Sequence, residues 1–87
     1  MTNSENIKVW LVDDDDSVRW VLEKAMQRAA IDVRGFAEPT EALDALLTSG
    51  NGSPDVIITD IRMPGMDGLE LMTRLEKQGI TVPVIVI

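Results

Sequence analysis

Four short apolar runs alternate with three stretches of helical periodicity along the 87 residues, and this order constrains the fold more than any other feature. Residues 7–12 (IKVWLV) form the first strand candidate, stopped by four aspartates, Asp13 to Asp16. Ser17 is placed to cap a helix there, with Asp15 and Asp16 favourable near its positive end. Val18, Val21, Leu22, Ala25, Met26 and Ala29 fall at helical spacing and predict one apolar stripe. Residues 31–36 (IDVRGF) alternate at period two, as a second strand does. Pro39 and Thr40 open a shorter helix with Ala42, Leu43, Leu46 and Leu47 on its inner side, ending near Ser49 and Gly50.

Residues 56–59 (VIIT) are apolar on both faces, the pattern of a central parallel strand. The turn-rich stretch 63–68 (MPGMDG) follows, and Asp67 is placed to cap a third helix carrying Leu69, Met72 and Leu75 and closed by Gly79. Residues 82–87 (VPVIVI) read as a fourth strand. Strands alternating with helices imply parallel pairing through right-handed crossovers, a three-layer α/β fold with helices on both faces of the sheet. In such sheets sites gather at the carboxyl ends of strands, near a topological switch point. Asp13 to Asp16 follow the first strand and Asp60 follows the third. If those strands are neighbours, their carboxylates converge.

Composition narrows the chemistry. With no cysteine there is neither a disulfide framework nor a thiolate metal site, and with no histidine a zinc site is disfavoured. A net charge of −7 argues against direct nucleic-acid contact by this segment. The longest apolar run is far short of the roughly 20 residues that span a bilayer. The polar start (MTNSEN, residues 1–6) lacks a signal pattern and reads as disordered; with the missing disulfides, this favours the cytoplasm.

Three carboxylates brought together repel one another unless a cation is bound. An all-oxygen set suits Mg²⁺, which uses one or two carboxylates and keeps several waters. A metal-bound carboxylate can also act as a nucleophile and form an aspartyl phosphate. Asp60, alone at the end of the central strand, suits that role. Each feature has a plainer reading: four aspartates often make a solvated helix start, and a lone aspartate often ends a strand. Their equivalent positions on one sheet favour a shared cation.

Val12-Asp13-Asp14 and Asp60-Ile61-Arg62-Met63-Pro64-Gly65-Met66-Asp67-Gly68 together resemble the receiver domains of bacterial two-component response regulators. The resemblance runs from Lys8 onward. VWLVDDDDSVRWVLEKA and TDIRMPGMDGLEL are similar to the NtrC-type receivers of nitrogen regulation. The resemblance implies a flavodoxin-like receiver fold and phosphorylation of Asp60 by an NtrB-like histidine kinase. It further implies Mg²⁺ held directly by Asp14 and Asp60, by the Arg62 backbone carbonyl, and by Asp13 through water. It also implies a cytoplasmic transcription activator whose ATPase module lies outside this segment, the segment itself being an acceptor rather than an enzyme. On this reading Asp15 and Asp16 are helix-start residues, Trp10 and Trp20 pack or at most face a partner, and Arg19 is a solvated helix residue.

Receivers have five strands and five helices, whereas this chain supplies four and three, so residues 7–87 are expected to form a partial receiver. The Ser or Thr at the end of the fourth strand and the Lys at the end of the fifth are not within it. Slow phosphorylation is therefore expected, and so is self-association through residues 82–87, an apolar edge. The alternative function is a receiver-like interaction module without phosphorylation switching. An aspartate-nucleophile phosphatase fits less well, because it would place a second aspartate where this chain has Arg62.

Overall fold

A computed structural model describes residues 7–48, 53–60 and 68–87. The expected disordered start, the end of the second helix at Ser49–Gly50 and the Asp67 cap lie outside these residues. The elements run β1 (Lys8–Val12), α1 (Asp16–Arg28), β2 (Asp32–Phe36), α2 (Pro39–Thr48), β3 (Val56–Thr59), α3 (Gly68–Lys77) and β4 (Val84–Val86). The four strands form one parallel sheet in the order β2-β1-β3-β4. From β1 the chain first moves outward to β2 and then returns across to β3. The switch point is therefore the crevice beyond the carboxyl ends of β1 and β3.

Alternation along the strands sends the two sets of side chains to different layers. Trp10, Val12, Phe36 and Ile57 pack with Ala42 and Leu46 of α2 and Leu71 and Leu75 of α3, forming the main core. The Trp10 and Phe36 rings meet at 5.0 Å between centroids, tilted by 51°, a favourable offset geometry for two aromatic quadrupoles. The opposite face carries Val9, Leu11 and Gly35, and α1 lies over it. A Cβ at Gly35 would collide with Glu23 Oε2 and stand 3.0 Å from Arg19 Cδ, so glycine lets the helix approach the edge strand closely.

Several expectations shift here. The cap of α1 is Asp15, whose side chain accepts from the Ser17 and Val18 amides, and the helix begins one residue before Ser17. Only Leu22 and Met26 of the predicted stripe are half-buried, while Val18, Val21, Ala25 and Ala29 are exposed. The cause is position: α1 sits over β1 and β2 and leaves the β3–β4 half of that face, including Ile85, uncovered by any described element. Leu47 and Leu69 are likewise exposed, whereas Leu71 is fully buried. β4 is shorter than 82–87 because Pro83 has no N–H to donate. Its carbonyl accepts from Ile57 N at 2.9 Å, and the ladder ends with Ile87 N donating to Thr59 O at 2.9 Å.

The ends of α1 and α3 close in the same way. Gly79 has φ 74°, with Ile80 N donating to Leu75 O at 3.0 Å. Ala30 has φ 62°, with Ile31 N donating to Met26 O at 2.9 Å. These are left-handed caps that return the chain to the sheet. Glycine was foreseeable in one; alanine occupies the other against its preference.

Candidate functional site

In-phase pairing of β1 with β3 sets Val12 beside Thr59, so the next residues, Asp13 and Asp60, leave the sheet side by side. Asp13 is held from two directions: its N–H donates to Phe36 O of β2 at 3.1 Å, and its Oδ1 accepts from Asp15 N at 2.9 Å. It is 3% exposed, and among the described residues only Thr59 joins it as a buried polar side chain. Asp60 is half-buried, and its N–H donates to Val12 O at 3.0 Å. Thr59, fully buried, donates its hydroxyl to the Asp60 carbonyl at 3.2 Å. Asp14 is exposed at the mouth of the crevice.

Asp13, Asp14 and Asp60 each present a carboxylate oxygen, and these oxygens all lie within 4.8 Å of one another. Such a cluster is a hard, all-oxygen donor set in the crevice where α/β sheets place ligands. The four-aspartate run divides cleanly. Asp13 and Asp14 face the cluster, while Asp15 caps α1 and the largely exposed Asp16 pairs with Arg19 at 2.5 Å. The helix start and the acidic site are thus adjacent but separate uses of one sequence run. Arg62, Pro64 and Gly65 lie outside the described residues.

Arg19 was expected to be solvated, and it is not. Its side chain is 18% exposed, and Nη1 donates to the Asp13 backbone carbonyl at 2.6 Å. An arginine one turn into a helix gives no sequence signal of a contact running back toward the strand. Trp10 packs as expected, but Trp20 is 59% exposed, with Lys24 Nζ 5.6 Å from its ring centroid.

A separate cleft of about 440 Å³ lies at the opposite end of the sheet, between the end of α3 and the entry to β4. Met72, Leu75, Ile80 and Val82 give it an apolar lining, and it is remote from the aspartates.

A family model of the response regulator receiver domain matches residues 9–87. The chain belongs to the receiver family. Among its relatives, the DNA-binding transcriptional regulator NtrC of Klebsiella pneumoniae is 48% identical over 77 residues, which is 88% of this chain and 16% of that protein. The receiver domain of Francisella response regulator 1452 superposes with a TM-score of 0.83 at 34% identity, over 93% of this chain and 64% of the other. The beryllofluoride-activated NtrC receiver domain superposes with a TM-score of 0.79 at 43% identity, over 95% of this chain and 64% of the other. This receiver therefore has the flavodoxin-like parallel architecture of its family and is similar to NtrC receivers. No described helix is long and apolar enough to cross a membrane.

Proposed function

We propose that this receiver accepts a phosphoryl group on Asp60, from a histidine kinase of a two-component system, as the input segment of a cytoplasmic NtrC-type transcription regulator. The observation that supports this is the convergence of Asp13, Asp14 and Asp60 within 4.8 Å at the switch point. The donor set fits Mg²⁺. The three oxygens lie close enough together for one cation to be shared. Asp14 and Asp60 would hold it directly, with the buried Asp13 reached through water. The Arg62 carbonyl would complete the protein's share of the ligands. When bound, the cation would neutralise charge on the transferring phosphoryl group.

The residues' own work follows from their placement. An Asp60 carboxylate oxygen attacks phosphorus as the bond to the donor nitrogen or acyl oxygen breaks. The Asp60 N–H bond to Val12 O and the Thr59 hydroxyl bond to the Asp60 carbonyl hold the nucleophile's backbone still during that exchange. Kinases of the NtrB type are the proposed donors. Incubation with acetyl phosphate and Mg²⁺, followed by intact mass and peptide mapping, tests the reading. One phosphoryl group should add, dependent on Mg²⁺ and absent in D60N. Labelling that persists in D60N, or without Mg²⁺, would reject it.

We also propose self-association through residues 82–87. In support, Ile85 of β4 and Ile87 just after it are 50% and 57% exposed. Large apolar side chains left exposed on a terminal strand favour association.

A further inference from the structure

We propose that Arg19 is a positioning residue for the acidic cluster, acting on the peptide that joins Asp13 to Asp14. This rests on the metal reading above. The Asp13 carbonyl that accepts Arg19 Nη1 at 2.6 Å belongs to the peptide whose nitrogen is that of Asp14. A peptide is planar, so fixing the direction of its carbonyl fixes the direction in which the next Cα leaves. Asp13 is otherwise held by β2 and by the Asp15 amide, whereas Asp14 is exposed. Arg19 thus supplies the restraint next to the ligand that has least burial to hold it.

The surroundings are arranged for this contact. Gly35 of β2 leaves room for the Arg19 stem, whose Cδ would stand 3.0 Å from a Cβ at that position. The second guanidinium nitrogen, Nη2, bonds Asp16 Oδ1 at 2.5 Å, which orients the planar fork and partly offsets its charge. A guanidinium offers two directed donors at a fixed angle; an ammonium cannot reproduce both.

The proposal predicts a direction opposite to that of charge alone. Removing a cation beside three carboxylates should tighten Mg²⁺ binding if Arg19 acts only through its field. If it positions Asp14, removal should weaken binding, and residues that orient metal ligands typically cost about 10–100-fold when lost. Calorimetric titration of the chain, R19Q and R19K with Mg²⁺, alongside thermal melts in EDTA, separates the two. We expect R19Q to bind about tenfold more weakly, with R19K between it and the parent. R19Q binding as tightly as the parent, or more tightly, overturns the proposal. Should R19Q fail to fold, R19K decides: unchanged affinity in folded R19K overturns it. A parent chain with no Mg²⁺ affinity defeats the metal reading itself and this inference with it, an outcome visible without any variant.

Discussion

Replacing Asp60 by asparagine keeps the shape of the side chain and removes one of three negative charges converging at the switch point. At the 4.8 Å limit of the cluster, two unit charges repel by about 0.9 kcal/mol in water and about 3.5 kcal/mol at an effective dielectric of 20. Asp14 is exposed and Asp13 buried, so the two pairs fall toward opposite ends of that range. After allowance for screening, about 1–2 kcal/mol of repulsion is relieved in the metal-free protein. For a domain of this size that raises Tm by about 4–8 °C per kcal/mol. Mg²⁺ should oppose this ranking: at ten times its Kd a ligand stabilises the parent by about 1.4 kcal/mol, whereas D60N would lack one of the proposed ligands. The assay is urea unfolding followed by circular dichroism, with EDTA and with Mg²⁺. D60N should be the more stable in EDTA, and its advantage should shrink or invert with Mg²⁺. An equal Mg²⁺ response in both proteins would refute the convergence of charge on which the site is built.

Other outcomes test the frame around the site. Ala30 holds φ 62°, so A30G should stabilise by about 1 kcal/mol after its own unfolded-state entropy is counted, visible as a higher urea midpoint. Leu71 is fully buried in the main core, and L71A should cost about 2–5 kcal/mol in the same titration. D15A removes the acceptor for two amides at the start of α1 and should cost about 1 kcal/mol. Sedimentation at rising concentration should show association of the chain, weakened in I85K; a monomer throughout would count against the exposed β3–β4 face as a contact.

Most of the fold was legible because strand and helix periods differ and each run was long enough to show its own. What escaped was the direction of each helix face. The stripe Val18, Val21, Leu22, Ala25, Met26 and Ala29 is one apolar surface in sequence, yet α1 turns only Leu22 and Met26 toward β1 and β2. Helical period states which residues share a side, not which neighbour that side meets. Arg19 was missed for the same reason. Its partner is a backbone carbonyl six residues earlier, and backbone atoms carry no sequence label. Ser17 looked like the cap by residue type, but Asp15, two positions earlier and equally suited, reaches both amides because the chain turns immediately after Asp13.

The acidic site was readable only conditionally, and register supplied the missing condition. Side chains along a strand alternate between faces, so sliding β3 by one residue against β1 would send Asp60 away from Asp13. The observed register pairs Val9 with Val56, Leu11 with Ile58, and Val12 with Thr59. In it Trp10, Val12 and Ile57 pack with α2 and α3 while Val9 and Leu11 lie on the opposite face. The pocket is then this register carried one residue past the end of each strand. Asp14, one residue further, is past the reach of that register. Its direction is set by the turn, and Arg19 donates to the carbonyl of the peptide that leads into it.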